Sequence, residues 1–406
     1  MITLLKDKHI LLGVCGSIAA YKAADLASKL TQAGALVDVI ITPAAEKFIT
    51  PLTFQSVTGR KAYTEADLWG GQAHILHVGL SHATDLLVVA PCTANTLAKM
   101  AHGLADNLLT ITALAARCPI LIAPAMDVGM YTHTATQENV RILTSRGVTF
   151  AGPDEGRMAS GLIGKGRMLE PADLFGHIRL ILGKTGRLAG KHITISAGGT
   201  QEPIDPVRFI SNRSSGKQGY ALAQAALDAG AQVTLVSAPT GLVPPVGASF
   251  IPVNTAREML ASVLAASHNS HALLMAAAVA DFSPKNTSDQ KIKKRDGIPT
   301  IELEAAPDIL GILSTPGYTQ PKPKVIVGFA AESRDLLENA AEKLRTKKMD
   351  LIVANDISAS DAGFGVDTNR VTLLHADGSS EDLPLLSKVE VSETIIERLA
   401  TLLENN

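Results

Sequence analysis

The sequence predicts an α/β protein made of two three-layer domains, each built on a mainly parallel sheet. Short β-rich runs alternate with Ala- and Leu-rich helical stretches, which is typical of a parallel sheet covered on both faces. The 406 residues are too many for one ordinary core and suit two domains. Residues 226–241 nearly repeat residues 30–45, each running from a helix end through a Gly turn and a strand into a Pro-containing loop.

The first domain is predicted over residues 1–189. Its elements follow in chain order, with strands at 9–14, 36–42, 85–90, 120–124 and 148–152 and the clearest helices at 19–33, 93–101 and 135–146. A helix at 172–182 ends the domain. We place the boundary in the Gly- and Lys-rich segment 183–191, because it separates that helix from a new first strand.

The second domain is predicted over residues 190–406. Its strands are expected at 192–197, 232–238, 271–279, 324–330 and 351–356, with 371–375 as a later edge strand. Both domains are interpreted as Rossmann-like, since the repeated strand–helix–strand unit is the one that mononucleotide-binding folds share. The repeat indicates a fold and leaves function open.

Composition narrows the class of protein. The 37 basic and 39 acidic residues nearly cancel, so charge gives no reason to expect a nucleic acid or membrane partner. Cys15, Cys92 and Cys118 are far apart and form no CxxC pair, which argues against disulfides and zinc and fits a reducing cytoplasm. The charged N-terminus is interpreted as the start of the first strand rather than a signal peptide.

Two helix starts in the first domain have the character of anion sites. Gly16 and Ser17 stand between a strand and a helix, and Thr93 and Asn95 begin another helix after a later strand. Free backbone N–H groups and the helix dipole bind phosphate at such positions. Ordinary N-capped helices remain the alternative, and no GxGxxG fingerprint of a dinucleotide site occurs.

The first half resembles the flavin-dependent cysteine decarboxylases. The resemblance covers residues 5–182 and lies in GSIAAYKA, in the H-x-x-L spacing from His77, in APCTANT and GLADNLL, and in P-A-M-x-x-x-M-Y. It implies a flavodoxin-like domain that binds FMN and acts on phosphopantothenoylcysteine. The FMN site that it implies consists of Gly16, Ser17, Thr42, Thr93, Asn95, Asp106, Asn107 and Met126.

The same resemblance implies catalytic residues, with two departures. By this resemblance His77 is the active-site base. Without it, the helix histidines His74 and His77 would be expected at the surface. Asp127 stands where the family carries Asn, and Ser160 stands where its flap carries a proton-donating Cys. One hypothesis covers both changes: like charge from the substrate carboxylate raises the pKa of Asp127, which then holds the substrate and donates the proton.

The second half lacks a P-loop but carries another specific motif. The run DPVRFISNRSSGKQG follows a strand that ends in Gly198–Gly199, and a helix starts near Ser214–Gly216. With AAAVADF, KIKK, AAPDIL, VGFAAE and EKLRTKKMDLIVAND, this run resembles the phosphopantothenate–cysteine ligases over residues 190–400. Without the resemblance, KIKK would be interpreted as a solvated basic loop.

The ligase resemblance implies that CTP activates 4'-phosphopantothenate as an acyl-cytidylate, which the amine of cysteine then attacks. Asn212 is expected to contact the acyl-cytidylate and Lys291 to stabilise it. Mg²⁺ is expected on the triphosphate, with Asp281 as a candidate ligand. The implied nucleotide site consists of Met275, Ala276, Ala277, Asp281, Lys291, Pro307, Asp308, Ile309, Leu310, Phe329, Lys343 and Lys347.

Together the two halves predict a bifunctional coenzyme A biosynthesis enzyme that makes and then decarboxylates 4'-phosphopantothenoylcysteine. One alternative keeps the ligase and makes the first half an FMN-binding regulatory or assembly module; another makes it a flavin-modifying transferase. The resemblance also implies homo-oligomers, based on trimers of the flavin half such as a dodecamer and on dimers of the ligase half.

Overall fold

The computed structural model describes residues 3–68, 76–294, 298–332, 335–356 and 365–405. Internal contacts divide the chain into two compact units, and the boundary along the chain lies between Leu182 and Gly183. Each unit has its own sheet, helices and buried apolar clusters. Within the described ranges, no helix is both long enough and apolar enough to cross a membrane.

The first unit is built on a parallel sheet. Among its described residues the strand order is β3-β2-β1-β4-β5-β6. Without the two-residue β3 this order is 2-1-3-4-5, as in flavodoxin-like folds. The strands are β1 (His9–Val14), β2 (Leu36–Ile41), β3 (Ala62–Tyr63), β4 (Leu86–Cys92), β5 (Ile120–Pro124), β6 (Thr149–Phe150) and a separate hairpin of β7 (Asp154–Arg157) and β8 (Ile163–Arg167).

Helices cover both faces of this sheet because their apolar residues recur at helical spacing. In α1, for example, the residues buried against the sheet include Ala23, Leu26, Ala27 and Leu30. The helices are α1 (Ala20–Gln32), α2 (Pro51–Thr58), α3 (Glu65–Leu68), α4 (Leu76–Ala83), α5 (Ala94–His102), α6 (Leu108–Ala115), α7 (Val128–Thr132), α8 (Thr134–Ser145) and α9 (Pro171–Gly183).

The second unit has a larger sheet in the order β13-β12-β9-β14-β17-β18-β20-β21 among its described residues. The strands up to β18 are parallel, and β20 and β21 run antiparallel. The sheet strands are β9 (His192–Ala197), β12 (Gln232–Ser237), β13 (Ser249–Pro252), β14 (Ala272–Met275), β17 (Val325–Glu332), β18 (Leu351–Asp356), β20 (Val371–His375) and β21 (Ser380–Asp382).

Three short antiparallel pairs and five helices complete the described part of the second unit. The pairs are β10 (Gln201–Pro203) with β11 (Phe209–Ser211), β15 (Phe282–Pro284) with β16 (Leu303–Ala305), and β19 (Thr368–Asn369) with β22 (Leu386–Ser387). The helices are α10 (Lys217–Asp228), α11 (Ala256–Ser267), α12 (Ile309–Ser314), α13 (Leu336–Thr346) and α14 (Lys388–Asn405).

The predicted fold class is confirmed, and two strand predictions were wrong. The strand expected at 271–279 ends at Met275, because the backbone N–H of Ala277 bonds to the Ser196 hydroxyl at 3.1 Å and that of Ala278 to the Gly198 carbonyl at 2.8 Å. The strand at 371–375 is not an edge strand, since it pairs with β18 and β21. The outer β21 is short and polar, as edge strands often are.

Candidate active sites

The first site lies at the carboxyl ends of β1, β4 and β5, where the strand order reverses and α/β sheets bind ligands. A cleft of about 490 Å³ opens there, and the β7–β8 hairpin covers it. Its lining includes the predicted residues Gly16, Ser17, Thr93, Met126, Asp127 and Ser160, together with Lys22, Arg157, Arg167 and the apolar side chains of Ile18, Tyr21, Met130, Met158 and Met168.

Two helix N-termini supply the polar end of this cleft. The Ser17 hydroxyl accepts a 3.3 Å hydrogen bond from the backbone N–H of Ala19 at the start of α1. Thr93 caps α5 by accepting from the N–H of Thr96 at 3.3 Å. A Cβ on Gly16 would lie 2.5 Å from the Cβ of Ala44, so only glycine fits this strand–helix turn. The cleft therefore has two helix-dipole ends suited to a phosphate group.

Asp127 and Ser160 meet in the cleft. The Ser160 hydroxyl donates a 2.6 Å hydrogen bond to one oxygen of Asp127, and the other oxygen accepts from the N–H of Gly129 at 3.0 Å. These two bonds, that of Ser160 first, lower the pKa of Asp127 below its ordinary value. In the free site the carboxylate of Asp127 is therefore ionised at neutral pH. The raised pKa expected from the sequence belongs to the complex with the substrate carboxylate, and it stays a prediction.

The flap hairpin approaches Met126 closely. The backbone N–H of Met126 donates to the carbonyl of Gly166 at 3.0 Å, and a Cβ on Gly166 would lie 2.3 Å from the Met126 carbonyl oxygen. Ser160 lies in the turn of the hairpin, next to Gly161 at φ 86°. The glycines therefore let the flap lie directly over the residues that follow β5.

Lys22 is a cleft residue that the sequence interpretation did not single out, although it stands in the quoted motif GSIAAYKA. Its side chain is 6% exposed, and its ammonium group donates to the Met168 carbonyl at 3.1 Å and to Glu170 at 2.9 Å. Arg167 pairs with the same carboxylate. This network fixes the base of the flap to α1, and its only sequence signal is a lysine on an otherwise apolar helix face.

Other predicted residues of the first half do not line the cleft. His77 lies in the first turn of α4, where its Nδ1 atom is buried and has no hydrogen-bond partner. Asp106 forms a 2.7 Å ion pair with Lys99, and Asn107 caps α6. Asn95 is exposed in α5, and the buried hydroxyl of Thr42 donates to the Val14 carbonyl at 3.2 Å. His74 is outside the described residues.

The second site lies at the corresponding point of the other sheet, where β9 and β14 end. The Gly199 and Ala278 backbones form a bridge, and the Thr200 hydroxyl accepts from the N–H of Ala280 at 2.9 Å. Asn212 crosses to the same loop, since its amide nitrogen is 3.2 Å from the Ala278 carbonyl and 3.3 Å from that of Val279. Because the amide donates there, its oxygen is left for a ligand.

The predicted nucleotide residues gather around α12. Met275 and Ile309 share one apolar cluster, against which Ala277 and Leu310 also pack. Asp308, which follows Pro307, caps α12 by accepting from Gly311 at 2.8 Å, and it forms an ion pair with Lys347. Burial raises the pKa of Asp308, but the Lys347 and Gly311 hydrogen bonds outweigh it and the net shift is downward. Lys343 adds a smaller effect in the same direction.

The remaining predicted residues of this site are more open. The side chains of Asp281 and Lys291 are exposed. Ala276 is half-buried directly after β14, and Phe329 is half-buried within β17. The Asp281 carbonyl accepts from the N–H of Ala306 at 2.9 Å, which joins its loop to the start of α12. In the described part of the chain, no group of three or more acidic, His or Cys side chains is arranged to hold a metal.

The two folds define a two-domain α/β protein, with a cleft under a flap in one domain and basic side chains beside α12 in the other. Residues 3–182 match the family model "Flavoprotein", and residues 188–403 match "DNA/pantothenate metabolism flavoprotein C-terminal domain". The chain is 46% identical over 402 residues to the coenzyme A biosynthesis bifunctional protein CoaBC of Bacillus subtilis, covering 98% of each chain. It is 44% identical over 401 residues to that of Vibrio vulnificus, covering 98% and 99%.

Two solved structures each match one half. The C-terminal domain of a CoaBC protein is 40% identical, with 54% of this chain and all of that chain covered and a TM-score of 0.47. A PPC decarboxylase variant in complex with pantothenoylaminoethenethiol is 36% identical, with 43% and 98% covered and a TM-score of 0.40.

The chain belongs to the CoaBC family of coenzyme A biosynthesis bifunctional proteins. It is therefore an enzyme with a flavoprotein phosphopantothenoylcysteine decarboxylase half and a phosphopantothenate–cysteine ligase half. This confirms the resemblance and the bifunctional prediction drawn from the sequence.

Proposed function

We propose that the second domain joins 4'-phosphopantothenate to cysteine with CTP, and that the first domain decarboxylates the product with FMN. The observation that supports this most directly is the placement of each motif set at the switch point of its own sheet. The sites therefore have the location that ligands prefer in α/β folds. Three free thiols fit the cytoplasm as the place of this reaction sequence.

In the ligase site, activation overcomes the poor electrophilicity of a carboxylate. CTP converts it to an acyl-cytidylate, with loss of pyrophosphate, and the cysteine amine then displaces CMP. Asn212, fixed by two carbonyls, directs its amide oxygen toward the intermediate, and Lys291 neutralises phosphate charge. Mg²⁺ would be held mainly by triphosphate oxygens, with Asp281 as one protein ligand, as magnesium commonly is in nucleotide sites.

In the decarboxylase site, the cleft volume, the two helix N-termini and the close Gly16 turn fit FMN. FMN supplies reversible two-electron oxidation of the substrate's thiol-bearing carbon, which makes loss of carbon dioxide easy. The chain's residues do the rest. Gly16, Ser17 and Thr93 hold phosphate, the flap excludes water, His77 accepts a proton, and Asp127 binds the substrate carboxylate.

A second candidate keeps ligation but makes the first half an FMN-binding regulatory or assembly module. The Asp127–Ser160 pair favours it, because an ionised carboxylate repels the substrate carboxylate and the Ser160 hydroxyl already donates its hydrogen bond to Asp127. The two candidates predict the same bound flavin and differ only in the final product.

Product analysis separates the two candidates. Purified protein with FMN, 4'-phosphopantothenate, cysteine, CTP and Mg²⁺ is expected to give 4'-phosphopantetheine and CMP by mass spectrometry. Replacing CTP with ATP serves as the specificity control. Accumulation of 4'-phosphopantothenoylcysteine would support the second candidate, and absence of both products would refute the proposal.

We further propose that the decarboxylase site is shared between copies of the chain in a trimer-based oligomer, with ligase dimers linking trimers. His77 does not line the cleft that holds Asp127, and its buried Nδ1 is unpaired. Exposed apolar side chains at the cleft mouth, such as Ile18 and Tyr21, suit contact with a second copy. A cleft from one subunit and His77 from another would complete the site.

Subunit mixing tests this sharing. His77→Ala and Asp127→Ala proteins should each be inactive as decarboxylases, but co-assembly at equal amounts should restore up to about a quarter of the sites, because each restored site needs an intact half from each subunit. The measurement is decarboxylation of 4'-phosphopantothenoylcysteine by co-expressed, differently tagged chains. Absence of recovery in a verified mixed oligomer would place both residues in one subunit's site.

A further inference from the structure

Asp205 opens the DPVR run of the ligase motif and has no proposed role in the reaction, yet its carboxylate accepts several hydrogen bonds. It is 3% exposed and follows β10 at the start of the D-P-V-R turn. One oxygen accepts from the N–H groups of Val207 and Arg208, both at 2.8 Å. The other accepts from the Arg208 guanidinium and, at 3.2 Å, from the N–H of Ile292.

The last of these bonds joins segments 87 residues apart in the chain. Arg208 closes the contact from the other side, since its guanidinium donates to the Ile292 carbonyl at 2.8 Å. Both backbone polar groups of Ile292 are thus held by one ion pair. Ile292 directly follows Lys291, so this pair fixes the backbone next to the lysine.

Two more contacts dock the same loop onto the same turn. The N–H of Ser288 donates to the Ile204 carbonyl at 3.0 Å, and the Thr287 hydroxyl donates to the Pro203 carbonyl at 3.2 Å. Lys291 itself is exposed and has no hydrogen-bond or ion-pair partner among the described residues. The loop backbone is therefore held while the lysine ammonium group is left free for a ligand.

We propose that Asp205 is a positioning residue for the ligase reaction: through Ile292 it holds the basic loop so that Lys291 faces the activated intermediate. This inference rests on the proposed function of Lys291. A lysine on an untethered exposed loop would lose backbone and side-chain entropy each time it met the nucleotide, and a docked loop removes the backbone part of that loss.

A carboxylate is required at this position because it accepts on both oxygens. It accepts from five N–H donors. These bonds hold the pKa of Asp205 well below its ordinary value, with the Arg208 side-chain bond as the main cause. An Asn in its place would keep one acceptor oxygen and turn an N–H₂ group toward the other donors. Asp205→Asn therefore removes some of the hydrogen bonds that hold the loop, with almost no change in side-chain size.

Glu202, in the strand β10 just before Asp205, offers a matched control. It is 2% exposed, and its carboxylate accepts from the N–H of Ala256 at 2.8 Å, at the start of α11 and away from the lysine loop. Glu202→Gln removes a buried charge from the same hairpin without touching residues 287–292. Any loss caused only by a weakened hairpin should therefore appear in both variants.

The test uses the full chain and three readouts. Asp205→Asn is expected to lower the ligase kcat by about tenfold or more with a smaller change in the KM for CTP, as expected when a catalytic group is misplaced. Trypsin should cleave it faster than wild type after Lys291, Lys293 or Lys294. Glu202→Gln should match wild type in both readouts. Decarboxylation of supplied 4'-phosphopantothenoylcysteine should be unchanged in all of these proteins.

A double-mutant cycle separates failure of the inference from failure of the proposed function. If Asp205 acts through Lys291, Asp205→Asn should cost little activity in a Lys291→Ala background. Full activity of Lys291→Ala alone would refute the role proposed for Lys291. A large effect of Lys291→Ala with additive losses, or with equal losses in Asp205→Asn and Glu202→Gln, would refute positioning by Asp205.

Discussion

Replacing His77 with Asn is expected to stop decarboxylation while ligation continues, so that 4'-phosphopantothenoylcysteine accumulates. The reason is that no other group at the site is proposed to accept the proton, and a positioned acid or base contributes about 10²- to 10⁴-fold to a rate. The loss should appear in kcat, since His77 is not proposed to bind the phosphate of FMN or that of the substrate. The measurement is product analysis with CTP, FMN and both ligase substrates present.

The stability of this variant can be predicted from the same contacts. Buried polar atoms without partners are rare and each calls for an explanation, and the His77 Nδ1 atom is one among the described residues. No hydrogen bond to the described residues of the same chain is lost on replacement of Nδ1, so we expect the melting temperature to stay close to that of wild type. His82→Asn, on the same helix but exposed, is the control and should keep both activities. Normal decarboxylation by His77→Asn would exclude the histidine as the base.

The sheets were predictable from sequence because their strands are buried on both faces. β4 is buried at every residue, and such continuous apolar runs between helical stretches admit few other interpretations. The hairpins were not predictable. β15 and β16 lie 18 residues apart and contain exposed Phe282 and Leu303, so neither has the periodicity of a half-buried strand. β15 and β16 are recognised as strands only from their pairing in the structure.

Motifs located the two sites but did not show which residues meet. Gly16, Ser17 and Thr93 follow strands that are adjacent in the sheet, so their shared cleft follows from topology. His77 precedes a strand rather than following one, and the described monomer leaves it outside that cleft. A role implied by family resemblance therefore did not determine its position within one chain.

Buried ionic contacts were the part of the sites that sequence alone could not supply. Asp205 stands in the quoted DPVR run, but nothing in that run indicates that its partner is the backbone of Ile292. Lys22 likewise has its role through an ion pair with Glu170, which is 148 residues away in the chain. Contacts between residues so far apart in the chain form only when the sheet has folded, so local sequence patterns do not predict them.

Asp127→Asn is expected to lower decarboxylation by about 10²- to 10⁴-fold, the range for loss of a catalytic acid. In the free site Asp127 is ionised, because Ser160 and Gly129 lower its pKa. A bound substrate carboxylate would raise that pKa by like charge, so binding should draw one proton onto Asp127. The protonated acid then both binds the carboxylate and has a proton to give, whereas Asn can only bind.

The sign of the pH dependence follows from this proton uptake. Between the pKa of Asp127 in the free site and its higher pKa in the complex, affinity should fall about tenfold for each unit that pH rises. Calorimetry in buffers of different ionisation enthalpy, with 4'-phosphopantothenoylalanine as an unreactive carboxylate ligand, should show uptake of about one proton by wild type. Asp127→Asn should show none.

Ser160→Ala is the control for this pair, and it distinguishes the two candidate functions of the first half. Removing the Ser160 hydrogen bond should raise the pKa of Asp127 in the free site toward its ordinary value. The low-pH end of the range in which binding takes up a proton should therefore move to higher pH, while uptake at neutral pH and turnover persist. Full turnover by Asp127→Asn would exclude Asp127 as the acid. If wild type bound the ligand without proton uptake and gave no 4'-phosphopantetheine, the ionised pair would be a barrier to the substrate, and the first half would be a flavin-binding module attached to an active ligase.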